Sequence, residues 1–183
     1  MNKPAENLPP ELVEFGAPIG RRVKAISWLA FAVIAGAIAL NLALGFGLNF
    51  PVKSRWAMGL APLVGLLVVL PVYFHSQVLG YRVGGGELVA VRRGRLTRFS
   101  LQGLQGVEVD PEAMKFSVKV FGNDGAGAIT GEFRNRRLGD YEALVTDRDR
   151  AVILRWPTRC LVVSPDRPAD FAAAVRAHAG LAP

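Results

Sequence analysis

Two long stretches without charged residues constrain the fold of this chain more than any other feature of its sequence. Between Lys24 and Lys53 there are 28 consecutive positions without Asp, Glu, Lys or Arg, and between Arg55 and Arg82 there are 26 more. A helix needs only about 20 apolar residues to cross a hydrocarbon core about 30 Å thick. The sequence therefore predicts two membrane-spanning helices, and it argues against an ordinary soluble enzyme.

The predicted helical hairpin divides the chain into four segments. Its two spans lie over about residues 25–44 and 56–74, and the stretch between them carries Gly, Asn and Pro, which favour a turn. Residues 82–183 hold 16 of the 22 basic and 12 of the 15 acidic side chains, as expected of a soluble domain. The four segments are an N-terminal tail at 1–24, the hairpin at 25–76, a linker at 77–86 and a folded domain at 87–183.

Basic residues near the ends of the spans predict the orientation of the hairpin. Only Lys53 and Arg55 lie in the connecting loop, whereas eight basic residues flank the outer ends of the spans. Cytoplasmic segments carry the excess of Lys and Arg, so both termini are predicted to lie in the cytoplasm. An alternative reads Arg21 and Arg22 as the start of a cleaved signal segment, which would place the C-terminal domain on the other side. The eight flanking residues are Lys3, Arg21, Arg22, Lys24, Arg82, Arg92, Arg93 and Arg95.

Small residues recur at every fourth position in both predicted spans. In the second span they are Ala57, Ala61 and Gly65, and in the first they include Ala32 and Gly36. Such spacing lets two helix backbones approach each other closely. The preferred interpretation is that these faces pack the two helices against each other, and the alternative is a homo-oligomer.

The pattern changes after residue 81 to short β-branched runs separated by Gly, Pro, Asn and Asp, which is typical of an antiparallel sheet. The stretch at 165–168 then leads into a predicted helix over 169–179, where Phe171 and Val175 form an apolar face. The sequence therefore predicts six or seven strands followed by one C-terminal helix. The predicted strands cover residues 87–92, 96–101, 107–109, 115–121, 141–146, 151–155 and 160–164.

Four short motifs in this half of the chain carry a resemblance to a known family. They are Leu138-Gly139-Asp140-Tyr141, Val145-Thr146-Asp147, Val152-Ile153-Leu154, and Val163 to Pro168 followed by Phe171. Together they resemble the C-terminal signature of the bacterial PH-domain families of small membrane proteins, over roughly residues 80–180. The resemblance implies an α+β protein of the bacterial inner membrane. In it, a transmembrane hairpin precedes a PH-like antiparallel barrel or sandwich that is capped by a C-terminal helix.

The resemblance also implies one candidate binding site. In phosphoinositide-binding PH domains, the turn between the first two strands carries basic residues that hold a headgroup phosphate. The matching positions here are Arg92, Arg93, Arg95 and Arg98. Arginines this close to a membrane span would also lie near an anionic leaflet, where each contributes about 1 kcal/mol of attraction. The alternative interpretation is a solvated turn whose arginines only determine the topology.

The sequence shows no arrangement of residues that indicates catalysis. It has only two histidines, His75 and His178, which lie far apart in the chain and do not indicate a Ser-His-Asp relay or a His-rich metal site. Cys160 lies in an apolar strand, where a buried inert thiol is the expected role, and one cysteine cannot form a disulfide scaffold. The glycine-rich stretches at 84–86 and 122–131 lack the spacing of phosphate-binding loops, and they indicate a linker and a mobile hairpin loop instead. We therefore expect no enzyme, no metal and no cofactor.

The expected function follows from the membrane anchor and the implied fold. A net charge of +7 would suit nucleic acid, but a membrane anchor and the lack of a recognition helix argue against that partner. We expect a scaffold or protein-docking module at the surface of the lipid bilayer, with a protein partner whose identity the sequence does not reveal. One alternative is a module that senses anionic lipid, and another is an accessory subunit of a membrane transport or secretion complex.

Overall fold

The structure, a computed structural model, describes residues 12–47 and 52–182, which contain three α-helices, one short 3-10 helix at Arg148–Arg150 and ten strands. The helices of the predicted hairpin are α1, Arg21–Gly47, and α2, Val52–Ser76. The C-terminal helix is α3, Pro168–Ala179. The strands are β1 Val13–Gly16, β2 Val78–Gly84, β3 Glu87–Arg92, β4 Arg95–Ser100, β5 Gly106–Val109, β6 Val118–Asp124, β7 Ile129–Asn135, β8 Gly139–Val145, β9 Val152–Arg155 and β10 Cys160–Val163.

The first sheet contains one strand from the predicted N-terminal tail. Its order is β1-β2-β3-β4, and all neighbours are antiparallel. β1 precedes α1, yet it pairs with β2, which follows α2, so that Phe15 lies opposite Tyr81. The predicted tail at 1–24 and the predicted linker at 77–86 therefore each contain a strand of this sheet.

The second sheet has six strands in the order β5-β9-β10-β8-β7-β6. Its pairs are antiparallel except for β10 with β8, which are parallel, so the prediction of a purely antiparallel domain is wrong at this pair. β7 was expected to be part of a glycine-rich hairpin loop. Gly122 and Gly131 lie opposite each other. An added Cβ at Gly122 would lie 2.2 Å from Thr130 O, and one at Gly131 would lie 2.3 Å from Phe121 O. These glycines therefore permit a close approach of two strands.

The first core lies between the two sheets and α3. Phe171 of α3 is fully buried, and its ring makes edge contacts with the rings of Phe15 (5.2 Å between centroids) and Tyr81 (5.8 Å). Pro168 starts α3, and Gly180 ends it with a φ of +68°, which glycine adopts at little cost. The α+β sandwich with a C-terminal helix, which the resemblance implied, is confirmed.

A second core covers the opposite face of the second sheet. Ile129 and Phe133 of β7 belong to it, and they pack with Met114 from the segment before β6 and with Val23 from the first turn of α1. Val23 is only 1% exposed. The first turn of α1 is therefore part of the folded domain.

A buried hydrogen-bond network connects the two sheets. The Tyr81 hydroxyl on β2 donates to Leu144 O on β8 (2.7 Å) and accepts a hydrogen bond from the Ser164 amide (3.1 Å). Ser164 Oγ accepts the amides of Thr146 (2.8 Å) and Asp147 (3.2 Å). Burial raises the pKa of Tyr81 to about 12, so its hydroxyl keeps the proton that it donates.

Of the described residues, one stretch is long and apolar enough to cross a membrane. It is Arg21–Asn41 in α1, and the apolar stretch Val64–Ser76 in α2 is shorter. The two helices contact each other through an edge-to-face pair of Phe31 and Tyr73, with 5.3 Å between ring centroids. The structure thus shows one candidate span where the sequence predicts two, and residues 48–51 of the connecting turn lie outside the described residues.

Candidate functional site

Helices α1 and α2 leave the domain at one end, which we call the stem end. There the Gly127 amide in the β6–β7 turn donates to Ser27 Oγ of α1 (3.1 Å). An added Cβ at Gly127 would lie 2.7 Å from Tyr73 O of α2, and the φ of this residue is +80°, so the position requires glycine. The Gly20 amide, just before α1, donates to Thr146 O after β8 (2.9 Å). The stem end therefore holds both helices against the domain.

Two of the four predicted headgroup arginines contact the end of α2. The Arg93 amide donates to Gln77 O (3.1 Å), and Arg93 Nε donates to Gln77 Oε1 (2.7 Å). The Arg93 guanidinium lies 5.2 Å from the centroid of the Phe74 ring. Arg92 Nη2 donates to His75 O (3.2 Å). The turn between β3 and β4 is therefore part of the stem end.

The other two arginines differ in their surroundings. Arg95 is exposed, and its side chain forms no hydrogen bond or ion pair within the described part of the chain. Arg98 lies farther along β4 and pairs with Glu87 (3.4 Å). Burial is the main cause that lowers the pKa of Arg92, and the positive charge of Arg95 lowers this pKa further. The structure therefore brings Arg92, Arg93 and Arg95 together and leaves Arg98 outside this group.

Exposed apolar side chains also lie at the stem end. Ile19 precedes α1, and Phe74 lies in the last turn of α2. Leu79 and Leu96 are the second residues of β2 and β4. Each of the four is more than 40% exposed. Exposed apolar residues rimmed by polar groups mark surfaces that meet a membrane or another protein. The stem end thus combines apolar surface with positive charge.

The small residues predicted to pack the helices show no tight contact where they are described. An added Cβ at Gly36 or Gly65 would meet no atom within 4 Å, and Ala32 is exposed. The side chains of Ala57 and Ala61 lie outside the described residues. Gly36 and Gly65 are therefore not points of close approach between α1 and α2, and a role of the five positions in assembly stays a prediction.

Groups that could react or bind metal are isolated within the described residues. There, no group of three His, Cys, Asp or Glu side chains is placed to hold a metal ion. The ring Nδ1 atoms of His75 and His178 each lie 2.9 Å from a carbonyl oxygen of their own helix, Pro71 O and Ala174 O. Cys160 is buried, and burial raises the pKa of its thiol, which disfavours the reactive thiolate.

A second surface, which the sequence does not indicate, lies along β6. This strand pairs with β7 on one side and with no described strand on the other. Its alternating sequence predicts one buried apolar face. Instead, Phe116, Val118, Val120 and Phe121 are all more than half exposed. Alternation cannot reveal this, because it does not tell whether another element covers the strand.

Comparisons with known proteins bear on the domain and not on the helices. A family model described as bacterial PH domain matches residues 79–179, which is more than half of the chain. The match begins within β2 and reaches the end of α3, so it leaves out β1, α1 and α2. No curated protein and no solved structure matches the chain significantly.

Proposed function

Because the chain belongs to the bacterial PH domain family, we propose that it is a non-enzymatic integral membrane protein whose PH-like domain serves as a scaffold or protein-docking module at the membrane surface. A fold alone does not determine a function, so the geometry of the stem end carries the proposal. In this proposal α1 and α2 form a hairpin in the bacterial inner membrane. Both termini lie in the cytoplasm, as the basic residues near the spans predict.

The pairing of β1 with β2 is the observation that carries the proposal. β1 comes before the apolar helices and β2 comes after them, yet Gly16 lies opposite Gly80 and Phe15 opposite Tyr81 in one sheet. The two ends of the apolar region must therefore lie on the same side of any membrane that it crosses. A single crossing would separate β1 from β2, so the pairing supports a hairpin of two crossings.

The contacts at the stem end give the domain a fixed orientation on the helices. Ser27 of α1 binds the β6–β7 turn, and Gln77 after α2 binds Arg93 of the β3–β4 turn. Contacts from both sheets therefore fix the domain on the helices, and no flexible linker separates the two. A rigid platform close to the bilayer is suited to docking, because its binding surfaces keep a constant height and direction relative to the membrane.

Labelling of single cysteines tests the topology. In a full chain with Cys160→Ser, we introduce Glu14→Cys in β1, Gln102→Cys after β4 and Lys53→Cys at the N-terminal end of α2, one at a time. A membrane-impermeant maleimide added to intact spheroplasts is expected to label position 53 alone. Positions 14 and 102 are expected to react only after the membrane is opened, because β1 and the domain share the cytoplasmic side.

Two outcomes would contradict the proposed topology. Labelling of positions 14 and 102 from opposite sides would mean a single crossing and would exclude the pairing of β1 with β2 in the membrane. Equal protection of all three positions in intact spheroplasts, with the protein recovered in the soluble fraction, would exclude membrane anchoring.

Binding of anionic lipid is a second candidate function, favoured by the position of the β3–β4 turn. Arg93 contacts the end of α2, so in this proposal Arg95 lies beside the membrane surface, and its guanidinium forms no ion pair with the residues that the structure describes. A basic residue at such a surface contributes about 1 kcal/mol of attraction to an anionic leaflet. Arg92 and Arg93 are already engaged with the helix end, so Arg95 is the residue with most freedom to bind a headgroup.

Lipid retention by the full chain tests this second function. After extraction in mixed micelles of neutral and anionic phospholipid at low salt, Arg95→Glu is expected to lower the retained anionic lipid by about tenfold, because it replaces an attraction with a repulsion. The matched control is Arg136→Glu, an exposed arginine on the β7–β8 turn, which lies at the opposite end of the strands. An equal effect of both variants would mean that Arg95 attracts lipid only through the net charge of the protein and forms no specific headgroup site.

A further inference from the structure

A groove lies between α1 and α2 at the stem end, where the two helices leave the domain. Its volume is about 230 Å³, and its lining combines one cation with aromatic rings. Lys24, Trp28 and Phe31 of α1 form one wall, and Tyr73 of α2 lies on the other. The β6–β7 turn borders it at Gly127. We call this feature the helix groove.

The lining residues of α1 follow each other along one side of the helix. Lys24, Trp28 and Phe31 are spaced by four and three residues, a spacing that places side chains on the same helix face. A rise of 1.5 Å per residue separates Lys24 from Phe31 by about 10 Å along the helix axis. α1 leaves the domain at its first turn, so Lys24 lies nearer the domain and Phe31 lies deeper in the apolar stretch. The helix groove is therefore charged at one end and aromatic at the other.

Contacts within the protein hold the walls of the helix groove in place. The Gly127 amide donates to Ser27 Oγ (3.1 Å), and Ser27 is only 7% exposed. The Phe31 and Tyr73 rings form an edge-to-face pair with 5.3 Å between their centroids. The groove is therefore formed by the fold and does not need a ligand to open it, as is usual for binding sites.

Two side chains of the helix groove have most of their binding capacity left. Trp28 is 73% exposed, and Lys24 is exposed and forms no ion pair or side-chain hydrogen bond with the described residues. An ammonium group binds phosphate as a point charge, and tryptophan is enriched where headgroups meet the hydrocarbon core. A ligand that covers both side chains carries an anionic group next to a long apolar part.

The charge at the stem end is positive before any ion pair is discounted. Backbone or side-chain hydrogen bonds bring five segments together there, which are residues 20–27, 73–77, 92–95, 124–128 and 146–150. With His75 neutral, they carry eight cations and three carboxylates. The cations are Arg21, Arg22, Lys24, Arg92, Arg93, Arg95, Arg148 and Arg150, and the carboxylates are Asp124, Asp147 and Asp149. This excess favours a ligand with net negative charge over a zwitterion.

We propose that the helix groove binds one anionic phospholipid, whose phosphate meets Lys24 and one of whose acyl chains lies along Trp28 and Phe31. The site is separate from Arg95, which does not line the groove. Its residues on α1 and α2 lie outside residues 79–179, which the family model matches. This inference rests on the proposed membrane hairpin, because an acyl chain enters the groove from a bilayer.

The residues that line the helix groove argue against a helix of a second copy as its occupant. Helices that pack within a membrane approach each other at small residues, where the backbones come close. The groove presents the rings of Trp28, Phe31 and Tyr73, whereas Gly36 and Gly65 do not line it. A flexible acyl chain fits between large rings, and a rigid helix backbone does not.

Fluorescence of Trp28 tests the proposed site in the full chain. Trp56→Phe and Trp156→Phe leave Trp28 as the single tryptophan. The protein is placed in bilayers of phosphatidylcholine that contain increasing fractions of a phospholipid brominated on its acyl chains, because bromine quenches tryptophan on contact. Brominated phosphatidylglycerol, which is anionic, is expected to associate with Trp28 at least fivefold more strongly than brominated phosphatidylcholine, which is zwitterionic.

Variants of exposed residues separate the helix groove from general surface charge. Lys24→Glu is expected to reduce the preference for the anionic lipid to less than twofold. Arg22→Glu makes the same charge change on the opposite side of the first turn of α1, and Arg95→Glu makes it in the β3–β4 turn; both are expected to keep the preference above threefold. Trp28→Phe with Val33→Trp moves the probe to an exposed position on α1 away from the groove, where no preference is expected.

Three outcomes would overturn the inference. Equal quenching by the two brominated lipids would mean that Trp28 faces the bilayer without a site. An equal loss of preference in Lys24→Glu and Arg22→Glu would mean that only the net charge of the stem end attracts lipid. No quenching by either lipid would mean that another protein chain covers the groove. The cysteine labelling uses neither lipid, so the expected topology combined with any of these outcomes keeps the membrane proposal and rejects only this inference.

Discussion

Replacement of Phe15 by Ala is expected to lower the free energy of unfolding of the full chain by about 3–4 kcal/mol. Phe15 lies in β1, is 3% exposed and packs against Phe171 of α3 and opposite Tyr81 of β2. Truncation of the ring would leave a cavity in the first core, which the surrounding strands fill only partly. A loss of this size would show that a strand before the helices belongs to the core of the domain after them.

Urea unfolding in detergent micelles, followed by the circular dichroism of the β-sheets, measures this loss. The matched control is Val13→Ala in the same strand, where the side chain is 37% exposed and the expected loss is below about 1 kcal/mol. If both variants unfold at the same urea concentration as the unmodified chain, β1 does not contribute to the core. The argument for two ends on one side of the membrane would then lose its support.

Replacement of Tyr81 by Phe is expected to cost about 2 kcal/mol at neutral pH. The change removes a hydroxyl that donates to Leu144 O and accepts the Ser164 amide, and both backbone groups are left without that partner inside the first core. The ring itself is retained, so packing against Phe171 is unchanged. The loss therefore reports the hydrogen bonds that connect the two sheets.

The stability contributed by Tyr81 is expected to disappear in alkali. Its pKa rises from 10.0 in the unfolded chain to about 12 in the folded domain, so between these values the folded state holds the proton more firmly. The contribution is complete below pH 10 and is lost as the pH rises towards 12, by up to about 2.7 kcal/mol for two pKa units. Tyr81→Phe lacks this titration.

Urea unfolding of both proteins between pH 8 and pH 12 checks the sign of this effect. Lysines and other tyrosines titrate in both proteins, so the difference between them isolates Tyr81. That difference is expected to be about 2 kcal/mol at pH 8 and close to zero near pH 12. A difference that stays constant over this range would mean that the Tyr81 hydroxyl is not buried in the folded domain.

Local patterns were sufficient for several parts of the structure. The uncharged runs predicted the apolar helices, the stretch at 165–168 marked the start of α3, and the motifs between Leu138 and Phe171 indicated the family. Each of these signals depends on residues that are close together in the chain. Burial of an apolar face or termination of a helix then follows with little help from distant parts of the molecule.

The candidate sites, in contrast, depended on distant contacts. Arg92 and Arg98 belong to the same β3–β4 hairpin, but Arg92 contacts the end of α2 whereas Arg98 pairs with Glu87. The glycines around β7 indicated a loop, because only the opposite strand shows why a side chain would not fit at Gly131. The headgroup site itself stays a prediction, and the structure adds only that Arg92 and Arg93 contact the end of α2 whereas Arg98 pairs elsewhere.

The sequence by itself determined that this chain has two apolar helices and a β-rich domain with a C-terminal helix, because uncharged length and short-range alternation limit what each segment can form. Only the tertiary structure decided that β1 joins β2 across more than 60 intervening residues, and that β6 keeps its apolar side chains exposed. A four-residue strand or an alternating strand carries no information about its partner. Pairing and burial are properties of what the fold places beside a segment, and in this protein they decide which surfaces are left to bind.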